Sequence, residues 1–209
     1  MSIYLWSDIH IDFGENLDAI ESLDAHRYQQ DAVIIAGDVT HDVKLLKRCF
    51  ISLTRTFKHI FFTPGNHDLW LYKKDFPCSV TKLNHLLHMC HEIGVHTSPK
   101  LLTDEAEPVW IVPLHSWYCK PEWGTESLYV PKQDEDPELK MWADNIRVNW
   151  DTLTDGVTPD KYMLGLNQQH VVREYQQKVI SFSHFLPNRD IIFPDNRAKN
   201  YIPRYVQDP

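Results

Sequence analysis

Polar groups close four apolar runs of this chain. Asp8 and His10 follow "IYLW", Asp38 follows "DAVIIAG", and Asn66, His67 and Asp68 follow "HIFFTPG". The fourth run, "VISFS", ends at His184. Side chains two apart on a strand leave the same face, so Asp8 and His10 can act together. If the runs are parallel strands, every one of these groups reaches the same edge of the sheet. Carboxylate, imidazole and amide oxygen together make a donor set for divalent transition metals such as Mn, Fe or Zn.

Each residue also has a quieter reading. Asp38 could cap the helix that follows, Asp8 could form a turn, Asp68 could cap the next segment, and His184 could be a satisfied histidine at a strand end. "GNHD" directly after a strand, and the ordered set at strand ends, favour the metal reading for the group. His115 in "PLHSWY" and His41, just past Gly37-Asp38, are candidates to line the site. His85, His88, His91 and Cys90 recur on one helical pattern. No carboxylate accompanies them, so they read as a helix face and not as a metal site.

The elements that must position these groups show in the periodicity. "NLDAIESLDAHRYQQ", "DVKLLKRCFISLTRTF" and "SVTKLNHLLHMCHEIG" carry apolar residues three and four apart, and Gly94 closes the last as a C-terminal cap. Helices alternating with "IYLW", "DAVIIAGD" and "HIFFTPGNHD" imply βαβ units and a mainly parallel sheet. Ligands bind beyond the carboxyl ends of such strands. "VWIVPLHSWY" holds a further strand, "LNQQHVVREYQQKV" has helical spacing, and "VISFSHFLP" is the last strand. Residues 119–165 read as an insertion, with an acidic turn-rich run at 134–138. Its Trp117, Trp123, Trp142 and Trp150 either roof the site or pack a cap onto the body. The end, 188–209, is aperiodic and rich in Pro and Asn. The whole reads as one domain over 1–209.

With 209 residues the chain can bury one sizeable core. A net charge of −8 argues against a nucleic-acid surface, although bound metals can supply positive charge locally. No apolar run approaches a membrane span. The four cysteines lack a CxxC pair and read as free thiols, which together with the absence of a signal-peptide pattern places the protein in the cytoplasm.

"DIH", "GD", "GNHD" and a later His before Pro resemble, in order and over residues 2–187, the calcineurin-like metallophosphoesterase superfamily. The resemblance implies an α/β two-sheet sandwich with two divalent metal ions that hydrolyses phosphate monoesters or diesters. By that pattern Asp8 and His10 bind one metal, Asp38 bridges both, and Asn66 and His184 bind the second. His67 faces the scissile phosphate, oriented by Asp68. Two cations about 3.5–4 Å apart lower the pKa of a shared water and neutralise phosphate oxygens during in-line attack. An imidazole can then protonate the leaving oxygen.

The sequence departs from the family at one place. The family closes its site with Gly-His-x-His, and none of the seven glycines here is followed by His. Each metal would lose a ligand, and strands beyond the motif would be absent, leaving a sheet edge open. The chain is therefore expected to be C-terminally incomplete. The expected partner is a phosphorylated substrate whose class the sequence leaves open. The alternative is an impaired remnant acting as a binding or regulatory protein.

Overall fold

A computed structural model describes residues 1–72, 75–103, 107–119 and 142–186. The acidic run at 134–138, Trp123 and the segment from 187 onward lie outside the described residues.

The first layer is a parallel sheet in the order β1 (Ile3–Trp6), β2 (Ala32–Ala36), β3 (His59–Thr63). The second is ordered β4 (Lys100–Leu102), β5 (Val109–Pro113), β6 (Lys178–Phe182), with β4 antiparallel and β6 parallel to β5. The two-sheet α/β architecture expected from the sequence is what forms.

Strand β2 is buried along its whole length because it faces apolar layers on both sides. Val33 and Ile35 pack toward the helices with Phe50, Leu53, Leu83 and Leu86. Ala32, Ile34 and Ala36 face the second sheet, where Phe61, Leu102, Ile111 and Phe182 complete the layer. A strand with both faces covered has no free register, which fixes where its polar tip emerges.

The helices divide more finely than the periodicity implied. The first pattern breaks into α1 (Gly14–Glu21) and α2 (Ala25–Tyr28), because Asp24 caps a new start by accepting the His26 N–H at 2.9 Å. α3 (Val43–Thr56) and α4 (Ser79–Glu92) lie where expected, and Gly94 follows α4 with φ +80°. α3 is capped by Asp42, which accepts from Lys44 and Leu45 at 2.7 and 3.1 Å. Asp38 is thereby left for another role.

Beyond β5 come α5 (Ala143–Arg147), α6 (Pro159–Leu166) and α7 (Gln168–Val171). The helical reading of "LNQQHVVREYQQKV" fails past Val171. Val171 and Val172 are 56% and 71% exposed, so the spacing buries no face, and Lys178 already pairs with Val109. β4 was missed altogether. Among the described residues β1 and β3 edge the first sheet and β4 and β6 the second, and Leu5 on β1 is 64% exposed. No described helix is long and apolar enough to cross a membrane.

Candidate functional site

Parallel pairing brings the strand tips together. Trp6 pairs with Ile35, Ala36 with Thr63, and Pro113 with Phe182. Asp8, Asp38 and His184 each stand two residues beyond the end of a strand, and Asn66 stands three beyond Thr63. Ligand atoms of Asp8, Asp38 and His184 lie within 4.8 Å of one another.

The backbone is bent to achieve this. Asp8, His10 and Asp38 all have positive φ, at 55°, 38° and 55°, a conformation that non-glycine residues hold only where the surroundings impose it. Here the loop after β1 is strapped to the loop after β2 by Asp8 N–H to Gly37 O, His10 N–H to Asp38 O and Ile11 N–H to Val39 O, at 2.9–3.1 Å. Glycines permit the close approach. A Cβ on Gly37 would come within 2.6 Å of Gly65 N and 2.7 Å of His184 Nδ1, and one on Gly65 would collide with Asp38 Oδ1.

The hydrogen bonds of His184 set its tautomer. Nδ1 donates to the Ala36 carbonyl at 2.9 Å, which in the neutral ring leaves the lone pair on Nε2. That lone pair faces Asn66 Oδ1 at 3.1 Å and Asp38 Oδ1 at 3.4 Å. Three acceptor atoms turned toward one another, with Asp8 beside them, suit a divalent cation and not one another. Burial pushes Asp38 up to about 6, and the Asp8 carboxylate adds to this, while His184 and the His67 N–H at 2.9 Å oppose it. A bound cation would reverse that balance.

A second group gathers beside the first: His10, Asp12 and His67, with ligand atoms again within 4.8 Å. His67 Nε2 lies 3.4 Å from Asp12 Oδ2 and 3.3 Å from His41 Nδ1, so a carboxylate and a second imidazole both stand beside that nitrogen. His10 Nδ1 and His67 Nδ1 share one hydrogen bond at 2.8 Å. With His10 as the donor, its Nε2 is unprotonated, the form in which imidazole binds a metal. His41 completes the cluster, 3.2 Å from Asp12 and stacked on Tyr72 with centroids 4.0 Å apart. A cavity of about 380 Å³ opens there, lined in part by His41, Lys44, Tyr72 and Phe76.

The expected partnership of His67 with Asp68 does not form. Asp68 is wholly buried, and its carboxylate accepts four backbone N–H groups: Asp38 and Gly65 on Oδ2, Val39 and Thr40 on Oδ1, at 2.8–3.0 Å. It ties the loops after β2 and β3 together, and the carboxylate beside the His67 ring is Asp12. Nor is the charged imidazole favoured. Burial pushes His67 down to about 4; Asp12 opposes this, while His10, His41 and Lys82 reinforce it.

His115 is buried, held by a mutual pair with Asn167 at 2.8 and 2.6 Å and a contact to Thr63 at 3.3 Å, at the root of the loop bearing Asn66. Burial, reinforced by His170, lowers it to about 4. Along α4, His85, His88 and His91 form an exposed face while Cys90 is buried and turned away from it. Cys49, Cys78 and Cys90 are buried thiols outside any disulfide. Trp117 packs in the main core against Trp150.

Two functional candidates escaped the sequence reading. Asp12 extends the Asp8-x-His10 pattern by a further two residues, a signal that was there to be read. Asp144 sits in α5, is 1% exposed, and accepts the Asn66 Nδ2–H at 3.0 Å across 78 residues of chain, with no local signal at all.

Comparison with known proteins gives the family and the fold. A family model described as calcineurin-like phosphoesterase matches residues 1–188. An acyl-carrier-protein phosphodiesterase, PptH, of Mycobacterium tuberculosis (strain ATCC 25618 / H37Rv) is 32% identical over 123 residues, which is 54% of this chain. The match spans 37% of that relative's length. The crystal structure of phosphopantetheinyl hydrolase (PptH) from Mycobacterium tuberculosis superposes with a TM-score of 0.70 at 21% identity. It covers 94% of this chain and 72% of that one, a likeness of fold.

Proposed function

Because the chain belongs to the calcineurin-like phosphoesterase family, we propose that it hydrolyses a phosphate ester, with two divalent cations held by Asp8, His10, Asp38, Asn66 and His184. Asp38 would be the ligand common to both. A phosphodiester is the favoured bond class, since the M. tuberculosis relative is named a phosphodiesterase. The observation that carries the reading is the convergence of His184 Nε2, Asn66 Oδ1 and carboxylates of Asp38 and Asp8, a donor set that a bound cation would reconcile.

Bound divalent cations supply Lewis acidity toward phosphate oxygens and a nucleophile from water near neutral pH. The protein's own groups do the rest. Asp68 holds the loops of Asp38 and Asn66 in register, so that the donors keep their spacing. His67 faces the phosphate as a neutral imidazole. Its Nε2–H, with Asp12 beside it, would donate a hydrogen bond to the oxygen on which charge develops. His10 steadies the opposite nitrogen of that ring, so the ring plane is fixed from both sides. The domain reading over 1–209 accompanies this proposal.

Adding Mn²⁺ to metal-stripped protein while following an aryl phosphate diester and monoester tests the reading. Turnover that requires metal and vanishes in Asp38→Asn supports it. Folded protein without turnover at saturating metal overturns it in favour of a binding role.

A further inference from the structure

Asp144 makes an arrangement that core packing does not require. Its Oδ1 accepts Asn66 Nδ2–H at 3.0 Å and Trp70 Nε1–H at 2.5 Å. Its Oδ2 accepts Tyr118 Oη–H at 3.0 Å and Trp142 Nε1–H at 3.1 Å. All four partners are donors, so only a side chain that purely accepts can satisfy them together. An Asn here would turn an amide NH₂ toward at least one donor. A carboxylate 1% exposed, with no cation among these four partners, costs solvation that a hydroxyl or an apolar residue would not.

The consequence falls on Asn66. A carboxamide is nearly symmetric in shape, yet only its oxygen can ligate a cation. Rotation by half a turn would present Nδ2–H to His184 Nε2 and abolish a ligand. Asp144 cannot donate, so it commits Nδ2 to itself and Oδ1 to the side where His184 Nε2 lies, 3.1 Å away. Its negative charge also polarises the amide and makes that oxygen a better donor atom.

We propose that Asp144 is a positioning residue, which selects the metal-binding orientation of Asn66. This rests on the metal reading of the site given above. Trp70, Tyr118 and Trp142 clamp the carboxylate from the other sides, and Tyr118 in turn packs edge-on against Phe185, next to His184. Through α5 the segment beyond β5 thus contributes to the metal site without supplying a ligand.

The test is the Mn²⁺ dissociation constant of the full chain, by calorimetry, with a thermal melt of each variant. Asp144→Asn should weaken Mn²⁺ binding by roughly 10- to 100-fold, the range for a group that orients a ligand. Tyr118→Phe removes a donor on the far side of Asp144, so it should lower the melting temperature and leave the dissociation constant within about threefold. Equal weakening in both variants would make Asp144 a scaffold residue and overturn the inference. Asn66→Asp gives a folding-independent second arm. It installs an anionic ligand yet faces Asp144 with a like charge, so binding should weaken, and the Asn66→Asp/Asp144→Asn double variant should regain it. Tighter binding in Asn66→Asp would also overturn the inference. Wild-type protein that takes up no Mn²⁺ overturns the metal reading with it. Wild-type uptake matched by Asp144→Asn overturns this inference alone.

Discussion

Asp68 holds Asp38 by its backbone: the Asp38 N–H donates to Asp68 Oδ2 at 2.9 Å, with the Gly65 N–H on the same oxygen at 2.8 Å. One buried carboxylate therefore fixes the loops after β2 and β3 at once. Asp68→Asn keeps the volume and replaces two of the four acceptor positions with an NH₂ facing N–H groups. The expected loss is about 3 kcal/mol, since buried donors are left unpaired. Urea unfolding of the metal-free protein checks this. A loss below about 1 kcal/mol would show that the loops do not depend on Asp68.

Gly37 and Gly94 separate two costs that a glycine substitution usually mixes. Both have positive φ, at 82° and 80°. A Cβ on Gly94 meets nothing within 4 Å, so Gly94→Ala should cost only the conformational term, about 1 kcal/mol. A Cβ on Gly37 strikes the Gly65 backbone and the His184 ring. Gly37→Ala should cost at least about 2 kcal/mol more and also weaken Mn²⁺ binding. Equal melting temperatures for the two variants would refute the close approach of these loops.

Asp12 touches the His67 ring, Thr40 Oγ1 and His41, and its side chain is 20% exposed. Asp12→Asn should therefore leave unfolding nearly unchanged. It should lower kcat roughly 10- to 100-fold with little change in KM, because the His67 imidazole loses the negative charge beside its Nε2. An unchanged kcat would remove Asp12 from the reaction.

His115, buried and lowered to about 4, binds a proton readily only when the chain unfolds. Between about pH 4 and the ordinary histidine value near 6.5, the unfolded chain binds the extra proton. Stability from this group is therefore complete above that window and is lost as the pH falls through it. Asp38 and Asp68, raised to about 6, act oppositely in metal-free protein, so the measurable quantity is a difference. His115→Gln should narrow the gap in unfolding free energy between pH 7 and pH 4.5 relative to the unsubstituted protein. An identical gap would place the proton elsewhere.

The legibility of this chain followed sequence distance. β2 and β3 announced themselves as unbroken apolar runs, and α3 and α4 as helical stripes, because burial within one element leaves a period in the sequence. β4 left none, being three residues long with only Leu102 fully buried. The convergence of Asp8, Asp38, Asn66 and His184 at the strand tips was legible for a related reason: a polar residue just past a buried strand has few structural uses. The partner of His67 was misassigned to its neighbour Asp68, since adjacency in sequence is a poor guide once a turn intervenes. Asn66 opens a short 3₁₀ turn, His67–Leu69, that sends consecutive side chains in different directions.

By itself the sequence determined the alternation of strands and helices, the family, and the donor types gathered at the strand tips, because these depend on period and local order. Only the tertiary structure decided which atoms face which. It gave Asp12 to His67, turned Asp68 onto four backbone amides, and brought Asp144 across 78 residues to the Asn66 amide. Those pairings depend on the register of parallel strands and on loop backbones held at positive φ, neither of which any local pattern of residues encodes.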